Sequence, residues 1–89
     1  MSEPYHLAQG AIADLKAAVL YLLTDAQDGG MSNAQIGRSL GIYTGHVGHE
    51  GHISRTLLAI MESEAVVEQD KSTKKWTLRN HSTAIDEDP

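Results

Sequence analysis

Three successive glycine–histidine triplets, Gly45-His46-Val47, Gly48-His49-Glu50 and Gly51-His52-Ile53, carry the most pointed chemistry in this chain. Imidazoles repeated every three residues suit zinc or another transition metal, with Glu50 on hand as a fourth ligand. Three glycines in so short a stretch would hold such ligands loosely, and each costs a helix about 1 kcal/mol against alanine. Plain loop histidines, histidines facing a polyanion and a pH-responsive cluster are the competing readings. With no second group of ligands in view, no metal is expected. The other pointed feature is a basic run, Lys71, Lys74, Lys75 and Arg79, set between two acidic stretches. Such a turn serves either as a phosphate contact or as a solvated hairpin that protects a sheet edge.

Enzyme chemistry finds no footing. There is no glycine-rich strand-to-helix phosphate loop, no nucleophile with a partnered base and no carboxylate pair spaced for acid–base work. The chain contains no cysteine, which excludes disulfides, thiolate metal sites and thiol nucleophiles. No catalysis and no cofactor are expected.

Length limits what can position these residues. The 89 residues allow one domain, and with 40% hydrophobic residues, one Trp and no Phe its core must be mainly aliphatic. A domain this small buries only about 60% of the surface its unfolded chain exposes, so help from a second subunit is plausible. Net charge is −5, which disfavours indiscriminate nucleic-acid binding but leaves local patches free to act. Residues 71–81 carry +4 and residues 31–60 carry +1, while residues 61–70 carry −4. The longest apolar run, Ala17 to Leu23, is short of the roughly 20 residues a membrane span needs. Met1-Ser2-Glu3-Pro4 lacks the basic start of a secretory signal. A cytoplasmic protein without membrane contact is expected.

The elements follow from periodicity. Leu7, Ala8, Ala11, Ile12, Leu15, Ala18, Val19, Leu22 and Leu23 predict a helix from Tyr5 to Gln27. A second stripe on it, Ala13, Ala17, Leu20 and Tyr21, is either a dimer contact or a face that later elements cover. Asp28-Gly29-Gly30 stops this helix. Ser32 with Gln35 forms a capping box, and Met31 is placed to staple onto Ile36, so the second helix runs Asn33 to Leu40 and stops at Gly41. The third helix runs from Glu50 or His52 to Glu64, with Ile53, Leu57, Ile60 and Met61 inward and Ser54, Arg55, Ala59 and Glu62 elsewhere. Residues 65–69 and 75–79 predict two strands about a turn at Asp70–Lys74, with Trp76 in the core. Residues 81–89 read as a mobile acidic tail.

This order resembles a winged helix-turn-helix domain, the α+β, mainly α architecture of many small transcription regulators. The residues that carry the resemblance run from Ser32 to Ile42, from His52 to Glu62 and from Val66 to Leu78. It covers about residues 7–79. The resemblance implies a third helix in the DNA major groove and a wing on the backbone or minor groove. Carried over residue by residue, His52, Ser54, Arg55 and Thr56 would meet the groove, with His49 beside them. Lys71, Ser72, Thr73, Lys74 and Lys75 would form the wing, while Arg38 and Ser39 would reach a phosphate. A homodimeric DNA-binding regulator is the implied function, with the first helix as the dimer contact; a winged-helix protein-interaction module is the alternative. The chain departs from the pattern before the third helix, where the usual turn of three or four residues is lengthened by the glycine triplets. Ile53 is expected as the first buried residue of that helix, with Val47 as the competing choice.

Overall fold

Helix α1 spans Glu3–Ala26 and passes through a short 3-10 turn at Gln27–Gly29; α2 spans Asn33–Leu40 and α3 His52–Ser63. Strands β1, Val67–Gln69, and β2, Trp76–Leu78, pair antiparallel with Val67 opposite Leu78 and Gln69 opposite Trp76. This is a computed structural model, and it describes residues 2–45 and 48–79. Three helices and a two-stranded hairpin make the protein α+β and mainly α, an arrangement compatible with winged-helix topology. His46, Val47 and the expected tail at 81–89 lie outside the described residues.

Every element gives side chains to one core. Val19 and Leu23 come from α1, Ile36 from α2, Leu57, Leu58 and Met61 from α3, Val67 from β1 and Trp76 from β2. Trp76 is buried, as its place in a short alternating strand suggests. Its backbone also does work that periodicity does not reveal. The N–H of Trp76 donates to the carbonyl of Met31 at 2.7 Å, and the N–H of Met31 donates to the carbonyl of Trp76 at 3.0 Å. Met31 therefore acts as a one-residue third edge of the sheet. Gly30 makes this approach possible: its φ is +69°, and a Cβ there would lie 2.6 Å from the Trp76 carbonyl oxygen.

The second helix matches expectation closely. The Ser32 hydroxyl accepts from the Gln35 N–H at 3.1 Å, and the Gln35 side chain accepts from the Ser32 N–H at 2.8 Å. Two of the four N–H groups orphaned at a helix start are thus satisfied reciprocally. Gly41 ends the helix in the left-handed conformation.

The third helix differs from expectation at its first turn. Ser54 is fully buried and Ile53 is 36% exposed, so the inward stripe is Ser54, Leu57, Leu58 and Met61. A stripe of Ile53, Leu57, Ile60 and Met61 fits the same helical period but lies about one residue off the observed one. The shift follows from what α3 packs on: the Ser54 hydroxyl sits against Gly37 and donates to the Gly51 carbonyl at 3.2 Å. A hydroxyl that returns its hydrogen bond to its own helix start can be buried at little cost.

Helix α1 reaches further than the core does. Residues 2–11 are exposed throughout, and Val19 and Leu23 are its only buried residues. By length and composition α1 is apolar enough to cross a membrane, although only 11% of its most apolar stretch is buried. Reading the Ala17–Leu23 run alone missed this, because alanines spread along the helix raise its mean hydropathy. Lys16, near the middle of α1, binds Glu64 at 2.8 Å, tying α1 to the end of α3.

Candidate nucleic-acid interface

The start of α3 and the segment before it form the first of three clusters. Residues 41–51 connect α2 to α3, far more than a tight turn needs. Glycines set its path. Gly51, with φ +81°, is the N-cap of α3, and no side chain caps the N–H groups of the first turn. A Cβ on Gly51 would come within 2.7 Å of Asn33 Nδ2 and 2.8 Å of the Tyr43 ring. The close approach is used: Asn33 Nδ2 donates to the Gly51 carbonyl at 3.1 Å, joining the first turn of α2 to the first turn of α3. A helix start without a side-chain cap keeps its positive end and its N–H groups open toward an anion.

Around that start, Thr44, Gly45, His49, His52 and Arg55 line a pocket of about 550 Å³. His49, His52, Arg55 and Thr56 are all exposed. Arg55 is partly pre-positioned, since its Nη2 donates to the Glu50 carbonyl at 3.1 Å. The Glu50 carboxylate accepts from the Gly48 N–H at 3.1 Å and holds the connection in shape. Two imidazoles, a guanidinium and a hydroxyl thus gather at the positive end of a helix. That chemistry recognises an oxyanion. A metal cluster does not emerge: among the described residues no group of three His, Cys, Asp or Glu is placed to hold an ion, and His46 lies outside them.

Ser54 leaves the candidate set. Its burial and its bond to Gly51 make it part of the scaffold that shapes the site, out of reach of a ligand. Ile53 takes a surface place beside Thr56, and the two share an apolar groove with α1.

The second cluster is on α2. Arg38 and Ser39 are exposed, as a phosphate contact requires. The Arg38 guanidinium stacks 4.5 Å from the centroid of the Tyr43 ring. Tyr43 also packs on Gly37 and Gly51, so it ties Arg38, α2 and the start of α3 together. Reading the sequence gave Tyr43 no role. The signal available was its place between two glycines, Gly41 and Gly45, in a segment with little else to anchor it.

The wing is the third cluster. The Asp70 carboxylate accepts from the N–H groups of Thr73 at 2.7 Å and Ser72 at 3.1 Å. These bonds, those from Thr73 foremost, hold its pKa below the ordinary 3.8. The Lys74 N–H closes the turn onto the Asp70 carbonyl at 2.8 Å, and Lys74 itself is left-handed at φ +66°. A lysine where glycine or asparagine would be relaxed is a strained placement, and strain of this kind concentrates at functional sites. Ser72 and Thr73 build the turn, while Lys71, Lys74 and Lys75 point their charge into solvent. The surroundings are mixed: Lys71 and Lys75 share a cleft with Asp28, Glu68 and Asp70.

β1 packs against α3, but among the described residues no hydrogen bond or ion pair joins the wing turn to the His49–Arg55 cluster. The two cationic clusters are thus independent contacts held by one core. No known protein family, curated protein or solved structure matches this chain.

Proposed function

We propose that this protein binds double-stranded DNA and acts as a transcription regulator, a homodimer with α1 in its seam and the start of α3 at the major groove. The observation that carries the reading is the α3 start without a side-chain cap, ringed by His49, His52, Arg55 and Thr56. Helix N-termini take phosphate oxygens through N–H groups and dipole, and residues of the first turn then meet base edges. Lys71, Lys74 and Lys75 supply backbone contacts from the wing, and Arg38 and Ser39 supply them from α2. With Ser54 buried, Arg55 is the residue best suited to read a base, through a bidentate contact to guanine. The protein works in the cytoplasm and needs no cofactor.

A second reading has its own support. The acids beside the wing lysines and the apolar groove between α1 and α3 suit a winged-helix module that binds protein and repels nucleic acid.

Fluorescence anisotropy of a labelled random-sequence duplex, titrated at about 50 and 200 mM salt, separates the two. Micromolar binding that weakens steeply between those salts supports the DNA reading, since each neutralised phosphate releases a counterion. Absence of binding at about 50 mM overturns it. On a selected site, Arg55→Ala should cost about 1–3 kcal/mol, whereas Lys74→Ala should weaken all sequences alike and lower the salt slope by about 1.

A further inference from the structure

The first three turns of α1 form an arm that nothing in the described chain covers. Tyr5 is 48% exposed and Leu7 64% exposed, and Ala8 and Ala11 are exposed beside them. Helical segments of about ten residues are not stable in water without packing. Where the arm joins the domain, Ile12 and Leu15 meet His52, Ile53, Thr56, Leu57 and Ile60 of α3 in a groove of about 290 Å³ with an almost wholly apolar lining. Exposed apolar arm and open apolar groove are continuous, sharing the turn at Ile12.

We infer that the occupant of this groove is the arm of a second copy, so that two chains exchange arms about a two-fold axis. The exchange is self-complementary, because each protomer presents one arm and one groove, as an isologous interface demands. Surface area supports it. Tyr5, Leu7 and Ile53 alone leave on the order of 300 Å² per protomer, already the size of the largest apolar patch of an ordinary monomer. With Ala8, Ala11, Ile12, Leu15 and Ile60 included, two protomers together reach the roughly 1,000 Å² that a specific interface needs. The groove also settles which face of α1 forms the seam. Leu7, Ala11 and Leu15 recur at helical spacing on the groove side, whereas Ala13, Ala17 and Tyr21 lie on a different side. That second stripe, with Tyr21 76% exposed, stays outside the seam. Because Ile53 and Ile60 belong to α3, the partner's arm braces the helix proposed to read DNA.

This inference rests on the homodimer part of the proposed function and not on its DNA part. Sedimentation equilibrium of the protein without DNA tests it, across about 1–100 μM. The wild type should be a dimer. Leu7→Glu on the arm and Ile53→Glu in the groove should each raise the dimer dissociation constant at least about 100-fold, the effect of a charge left at a desolvated interface. Ala17→Glu should leave the dimer intact. All three positions are exposed, and circular dichroism checks that each variant folds. Because the chain has no cysteine, a Leu7→Cys chain mixed with an Ile53→Cys chain offers a second readout. Mild oxidation should join the two faster than it joins Leu7→Cys to Ala17→Cys. A monomeric wild type overturns the inference, as does a dimer that Ala17→Glu dissociates while Leu7→Glu and Ile53→Glu do not. A monomer that binds DNA would defeat this inference alone; a dimer that ignores DNA would defeat the DNA reading alone.

Discussion

The two helices of the helix-turn-helix are begun and ended in opposite ways. α2 starts on a complete capping box and ends on a left-handed glycine, so local chemistry alone satisfies its termini. α3 starts on a glycine with no side-chain cap. It ends with Ala65, a non-glycine residue, at φ +64°. Its last carbonyls are met by the Ala65 N–H, which bonds Glu62 at 2.9 Å, and the Val66 N–H, which bonds Met61 at 3.0 Å. That pattern usually recruits glycine. The contrast teaches where each helix gets its stability. α2 is a locally specified platform, while α3 is held by burial of Ser54, Leu57, Leu58 and Met61 and by the nesting of Gly51 between Asn33 and Tyr43. Freed from the need for a capping side chain, the α3 start can face a ligand.

Breaking the nest should have the largest effect. Gly51→Ala combines left-handed strain of about 1–2 kcal/mol with overpacking against Asn33 and Tyr43 of about 1–3 kcal/mol. Chemical denaturation should show a loss of at least about 2 kcal/mol. A loss below about 0.5 kcal/mol would mean that Gly51 is not pinned by its neighbours.

Ser32→Ala should cost about 1 kcal/mol by removing the cap of α2. Ala65→Gly should act in the other direction, stabilising by about 0.5–1 kcal/mol because relief of the left-handed strain outweighs the added chain entropy. Opposite signs at these two helix ends in thermal unfolding would sharpen the contrast. Equal signs would erase it.

The smallest effect belongs to the wing. Asp70 has a folded pKa below its ordinary 3.8, set first by the hydrogen bonds from Thr73 and then by that from Ser72. The stabilisation is therefore fully present above that ordinary value and is lost as pH falls through the lower folded value. An NMR titration should find the Asp70 midpoint depressed in the wild type and the turn amides of Ser72 and Thr73 shifting with it. A midpoint at or above 3.8 would show that the turn does not hold the carboxylate.

What the residues reveal in advance follows the same division. α2, the wing strands and the core place of Trp76 are legible because each depends on neighbours close in sequence: Ser32 with Gln35, Val67 opposite Leu78, an alternating strand. The start of α3 was misjudged by one residue because the choice between Ile53 and Ser54 depends on a distant partner, Gly37, and hydrophobicity favours the wrong one. The Met31–Trp76 bridge and the Tyr43 anchor were missed for the same reason, since backbone pairing across some 45 residues leaves no local pattern. Of the candidate site, the basic turn and Arg55 were visible by charge. The α3 start without a side-chain cap was visible only as an excess of glycine.

Amide chemical-shift mapping of the labelled protein against a random-sequence duplex at about 50 mM salt tests the central claim most directly. The account predicts that the His52, Ile53 and Arg55 amides at the start of α3 shift together with Lys74 of the wing, and that α1 stays still. Shifts confined to α1 and the Ile53–Ile60 side of α3, or none anywhere, would contradict it.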